Sequence, residues 1–205
     1  MNSTFVNFIQ NTQTVVCYGY VKEGEKVTAL IYEFMSNGAI NEYINQNKDM
    51  ISDTFLFTSL CRLFEGIVYL QSNSRVHRDL RPSNILIDHD GKAYLSDYET
   101  IRLFDSNGGS QIENYATNPC SVNMGSDYYI SPEQLTRNAF NLSTDIYCFG
   151  EIVYFLFEKV EVFQKCGIYD NKINDRIPEM MKTKLTHIKS IFDSTVKVDY
   201  SKRSS

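Results

Sequence analysis

The chain has 205 residues, 42% of them hydrophobic and 22% charged, enough for one domain with a sizeable core. Its net charge of -5 gives no reason to expect a nucleic-acid partner. The five cysteines (Cys17, Cys61, Cys120, Cys148 and Cys166) are scattered, odd in number and free of any C-x-x-C pair. They point to free thiols in a reducing, cytoplasmic compartment rather than to a disulfide frame or a zinc site. The first residues carry no basic leader, and the most apolar stretch, Ile152 to Phe157, is far too short to span a bilayer. No membrane partner is expected.

In chain order, Phe5, Phe8 and Ile9 are spaced like one face at the end of a helix. Thr14 to Val21 is rich in β-branched and aromatic residues and predicts a strand; Lys22 to Lys26 is a turn, and Val27 to Tyr32 a second strand. Asn37-Gly38 marks a turn, and Ala39 to Gln46 a short helix. A longer helix follows, capped by Ser52 or Asp53, with Leu56, Leu60, Leu63, Ile67 and Leu70 as its buried face. Ile85-Leu86-Ile87 and Ala93-Tyr94-Leu95 predict two short strands joined into a hairpin by the turn Asp88-His89-Asp90-Gly91. From Asp97 to Glu133 periodic pattern is poor, as in a functional or disordered loop. Ser143 or Thr144 is placed to cap a helix that is apolar nearly all round and therefore buried. Lys159 to Ile177 reads as loop, and Pro178 suits the first turn of a helix running to about Phe192, with Met181, Leu185, Ile188 and Phe192 inward.

The chemistry gathers around the hairpin. Asp79 and Asn84 lie before its first strand and Asp97 just after its second. One carboxylate can accept a proton while an amide and the other carboxylate hold a hard cation, the layout phosphoryl transfer needs. The run His77-Arg78-Asp79-Leu80-Arg81-Pro82-Ser83-Asn84 resembles the catalytic loop of eukaryotic protein kinases, H-R-D-L-x-x-x-N, at every fixed position. Ser96-Asp97-Tyr98-Glu99 sits where that family has D-F-G. Gly125 to Glu133 resembles the segment ending in A-P-E, and Asp145 to Gly150 the D-x-W-S-x-G start of a buried helix. The tail Asp199 to Arg203 resembles D-P-x-x-R-P.

The resemblance implies an α+β, protein kinase-like fold over 1–205, mostly the helical large lobe (39–205) with a remnant of the small-lobe sheet (1–32) and a hinge (33–38). It implies ATP and Mg2+ as cofactors and a protein substrate or docking partner. By position in the family pattern, Asp79 is the catalytic base and Arg81 the cation facing the transferring phosphoryl group. Asn84 and Asp97 are the metal ligands. Glu33 and Met35 supply the hinge backbone for adenine behind a bulky gatekeeper, Tyr32, and Leu86 lines the same nucleotide site. His77 is read as a packing residue. Arg78 is assigned to a phosphate on the activation loop, with Tyr115, Thr117 and Ser121 as candidate acceptors. Arg203 is expected to pair with Glu133.

Two departures bear on activity. The first glycine, lysine and acidic residue are Gly19, Lys22 and Glu23, so the glycine-rich loop, its strand lysine and that lysine's acidic partner are expected to lie before Met1. Glu99 stands where the family has glycine, which adds a negative charge beside Asp97. The sequence therefore supports a kinase of the serine/threonine type, with tyrosine second, whose isolated chain is expected not to phosphorylate a generic substrate. The competing reading is a pseudokinase-like binding module.

Overall fold

The computed structural model describes residues 12–103, 129–137, 140–160, 185–197 and 199–203. The N-terminal helix expected around Phe8, the candidate acceptors Tyr115, Thr117 and Ser121, and the helix start at Pro178 lie outside these residues. The chain divides into two compact units, Met1–Tyr69 with Pro82–Asp97, and Leu70–Arg81 with Tyr98–Ser205.

In the first unit, β1 (Cys17–Glu23) and β2 (Lys26–Tyr32) form an antiparallel pair, closed by a turn in which Gly24 takes φ +60. A side chain there would be strained, which is why glycine occupies the position. The strand expected from Thr14 starts three residues later. Thr14 instead bridges Leu95 in parallel: the Val15 N–H donates to the Leu95 carbonyl and the Leu95 N–H to the Gln13 carbonyl, each at 2.9 Å. The β-rich run is therefore split between two partners.

Helix α1 (Ile40–Gln46) follows, and then α2 (Asp53–Ser72), where the Ser52 hydroxyl accepts from the Phe55 N–H at 3.1 Å as an N-terminal cap. The predicted inner face of α2 is inside: Leu56, Leu60, Leu63, Ile67 and Leu70 are all buried. The hairpin of β4 (Ile85–Ile87) and β5 (Ala93–Leu95) forms in the register Ile85–Leu95, Leu86–Tyr94, Ile87–Ala93. Its turn is organised by Asp88, whose Oδ1 accepts from the N–H groups of Asp90 and Lys92 at 2.9 and 2.8 Å. Burial works against this carboxylate, but those donors, the Tyr94 hydroxyl and nearby His89 outweigh it and hold its pKa below the ordinary value.

In the second unit, β3 (Arg75–Val76) pairs with β6 (Arg102–Leu103). Helix α3 (Pro132–Arg137) precedes α4 (Leu142–Glu158), which is buried along most of its length. The cap of α4 is Asn141, upstream of the two residues expected. Its side chain accepts from the Ser143 N–H at 2.8 Å, while the Thr144 hydroxyl accepts from the Asn141 N–H at 2.9 Å. Thr144 thus serves the reciprocal half of a capping box rather than the cap itself. Of the residues expected inward on the last helix, Met181 lies outside the described residues and Leu185 is half-buried at an extended cap position; α5 (Thr186–Thr195) starts after it, runs a little past Phe192 and buries Ile188 and Phe192. It comes so close to α4 that a Cβ on Gly150 would lie 2.1 Å from Thr195 Oγ1 and 2.6 Å from Val196 Cγ2. The expected ion pair forms: Arg203 Nη1 and Nη2 donate to the two Glu133 carboxylate oxygens at 2.7 and 2.8 Å.

Candidate active site

The residues singled out from the sequence fall in both units. Glu33, Met35, Asn84, Leu86 and Asp97 belong to the first, Asp79 and Arg81 to the second.

In the first unit, one turn of 3₁₀ helix (Pro82–Asn84) delivers Asn84 to the start of β4. The Asn84 carbonyl accepts from the Ser96 N–H at 2.9 Å and from the Ser96 hydroxyl at 3.0 Å, so the ladder continues one pair beyond Ile85–Leu95. Asn84 and Asp97 therefore sit at the same end of the hairpin, and both are half-buried. Asp97 takes a left-handed backbone, φ 61, a conformation that favours glycine. Among the described residues its carboxylate has no hydrogen-bond or ion-pair partner, although it is partly removed from water. A half-buried carboxylate and a half-buried amide at one end of a hairpin offer hard oxygens, which fits a small divalent cation such as Mg2+.

The 33–38 segment, expected to be the hinge, is bonded to the same hairpin. The Asn37 N–H donates to the Ile87 carbonyl at 3.1 Å, the Ile87 N–H to the Gly38 carbonyl at 2.8 Å, and the Asn37 amide to the Asp88 carbonyl at 2.5 Å. The Glu33 N–H is committed to the Val16 carbonyl and the Met35 carbonyl to the Gly38 N–H. Neither the Glu33 carbonyl nor the Met35 N–H takes part in these bonds. Met35 is buried, and Leu86 is half-buried on β4, where it bridges Ala39.

A second group of possible ligands, Asp88, His89 and Asp90, occupies the hairpin turn. Its carboxylates are already engaged, Asp88 by the turn's N–H groups and Asp90 by Lys92 and His89.

In the second unit the loop holding Asp79 is fixed from three sides. His77 is wholly buried, as a packing residue should be, and its N–H donates to Asp145 Oδ2 at 2.7 Å. The Arg78 N–H donates to the other oxygen of Asp145 at 3.0 Å. The Thr100 hydroxyl donates to the His77 carbonyl at 2.8 Å and the Gln134 amide to the Arg78 carbonyl at 3.1 Å. Arg78 itself has φ 75, a left-handed backbone the surrounding bonds must impose. Its guanidinium lies 4.6 Å from the centre of the Phe140 ring. Burial pushes the Asp145 carboxyl above its usual range, against the opposing pull of His77 and Arg78. Sequence reasoning marked Asp145 only as the start of a helix motif. Its role in holding the loop is a contact across 68 residues, with no local signal.

A family model described as "Protein kinase domain" matches residues 4–205. Curated relatives include a putative leucine-rich repeat receptor-like serine/threonine-protein kinase of Arabidopsis thaliana, 28% identical over 190 residues, covering 90% of this chain and 20% of the relative. Another is cysteine-rich receptor-like protein kinase 41 of the same plant, 32% identical over 150 residues, 71% of this chain and 22% of the relative. The chain spans about a fifth of the length of these relatives.

Proposed function

The chain belongs to the protein kinase family, and from that premise we propose that it binds Mg2+ and ATP and serves transfer of the γ-phosphoryl group to a serine or threonine hydroxyl of a protein. The observation that carries this reading is that Asn84 and Asp97 lie at one end of the hairpin to which the 33–38 segment is also bonded. The serine/threonine choice rests on Pro82 after Arg81, on Gly125-Ser126 before Tyr128-Tyr129, and on a relative named as a serine/threonine kinase.

In this reading the Glu33 carbonyl accepts from, and the Met35 N–H donates to, the polar edge of adenine, and Leu86 meets its face. Asn84 and Asp97 hold Mg2+, which when bound neutralises phosphate charge. Asp79 orients the substrate hydroxyl and takes its proton, and Arg81 balances charge on the moving phosphoryl group. The domain is proposed to work in the cytoplasm. Cys17, Cys61 and Cys148 are free thiols, and no described helix is long and apolar enough to cross a membrane.

Titration with a fluorescent ATP analogue tests the reading. Mg2+ is expected to tighten binding, and Asp97→Asn to abolish the tightening while leaving metal-free binding in place. Asp79→Asn is expected to keep nucleotide binding, and labelled phosphate transfer to a generic serine/threonine peptide is expected from neither the isolated chain nor this variant. Absence of any Mg2+-dependent binding would overturn the proposal in favour of a protein-binding module, the reading that Glu99 in place of the family's glycine supports.

A further inference from the structure

Arg62 is half-buried on α2, beside the buried row of that helix. Its Nε donates to the Ala93 carbonyl and its Nη2 to the Thr12 carbonyl, both at 2.8 Å. Its guanidinium lies 4.5 Å from the centre of the Tyr94 ring. The two carbonyls belong to neighbouring stretches of backbone, Thr12–Val16 and β5, which are joined through Gln13, Val15 and Leu95. From the first stretch, the Val16 carbonyl takes the Glu33 N–H of the hinge at 2.8 Å. From the second, Ser96 bonds Asn84 and leads directly to Asp97. The hinge and the two cation-holding side chains are thus connected by one ladder of backbone bonds, and the pairing of Val15 with Leu95 is its middle rung.

We propose that Arg62 is a positioning residue for nucleotide binding: by clamping Thr12 to Ala93 it fixes the middle of this ladder, and so sets the spacing between the hinge and the Asn84–Asp97 pair. The inference rests on the nucleotide-binding reading above. The guanidinium suits the task because it is always charged and presents several donors in a rigid fork, so one side chain can serve two carbonyls at once. A charged donor on a carbonyl also forms a stronger bond than a neutral one. The Tyr94 ring covers one face of the cation and limits its swing. Two further contacts dock the same segment on α2. The Gln13 amide donates to Glu65 at 2.6 Å, and a Cβ on Gly66 would lie 3.8 Å from Gln13 Cβ. Arg62 acts through Thr12 and Ala93 rather than on the nucleotide.

The test compares wild type, Arg62→Ala and Arg62→Lys, the last keeping the charge and stem but losing the fork. Adenosine affinity, which reads the hinge and Leu86 without the phosphates, should stay unchanged in both variants. The Mg2+-dependent gain in ATP affinity should fall about ten-fold or more, the scale seen when an outer support of a metal ligand is removed. Amide hydrogen exchange should accelerate at Val15 and Leu95 but not at Ile87, whose N–H bonds the Gly38 carbonyl. An unchanged Mg2+ gain in both variants would overturn the proposal. So would a parallel loss of adenosine and ATP affinity, because that is plain destabilisation. A wild type that binds neither ligand, with exchange still responding at Val15 and Leu95, would sink the nucleotide reading and leave Arg62 a clamp of the fold with no positioning role.

Discussion

A carboxylate enclosed in protein is unfavourable unless its oxygens are satisfied. Asp145 meets that condition with two backbone donors from consecutive residues, His77 and Arg78. A carboxylate is the right group there, because both of its oxygens accept, whereas an amide turns one donor toward an N–H. Asp145→Asn is therefore expected to lower stability by about 1–3 kcal/mol, the range for a buried donor left unmet. Urea unfolding of the variant against wild type measures it. Loss of the constraint on Arg78, which holds a left-handed backbone, should accompany the loss of stability. The same scale shows what was legible. His77 was read as structural from its place beside an apolar helix, and it is wholly buried. Arg62 was passed over, because an arginine on the flank of an amphipathic helix looks like any solvated side chain. Nothing local reveals that carbonyls 50 and 31 residues away converge on it.

At the scale of elements, periodicity carried the most information. The α2 face and the β4–β5 hairpin were readable because burial repeats at three and four residues in a helix, and because a turn with aspartate and glycine separates two short apolar runs. Boundaries were less readable. The run from Thr14 looked like one strand, since propensity does not say which partner each residue will pair with. The cap of α4 was placed too late because Ser143, Thr144 and Asn141 are all good capping types, and only the bonds choose Asn141. In the sequence Gly150 shows only as the end of the Asp145 to Gly150 motif; its physical reason is the contact with α5. Gly150→Ala should destabilise the protein by about 1–3 kcal/mol through overpacking, despite alanine's better helix propensity. Thr195→Gly should restore part of the loss, since Thr195 supplies the nearest atom. Thermal unfolding of the two single variants and the double variant checks both statements.

At the scale of the whole chain, the bond between Glu133 and Arg203 joins positions 70 residues apart within the second unit. Both side chains are almost wholly buried, Thr144 donates to the same carboxylate, and the Arg203 guanidinium lies 4.8 Å from the centre of the Tyr147 ring. Burial alone would raise the Glu133 pKa, but the bonds from Arg203 and Thr144 prevail and place it below the ordinary glutamate value. A depressed folded-state pKa contributes stability that is full above the unfolded value, near 4.5, and is lost as pH falls through the folded value. Glu133→Gln should flatten this acid limb of the stability curve. Arg203→Met, which leaves a buried charge unpaired, should cost about 3–5 kcal/mol near neutral pH. Denaturant melts across pH report both effects. The pair itself was foreseen from the family pattern, because two short motifs at the correct order specify it without any knowledge of the path between them.

The backbone of Asp97 has one more implication. Glycine would relax that φ of 61, and asparagine tolerates it better than most residues. Under evolutionary pressure for folding alone, the position should drift toward either of them and away from a carboxylate. Its persistence as aspartate across a library enriched only for solubility would mean that something besides the local conformation is keeping it there.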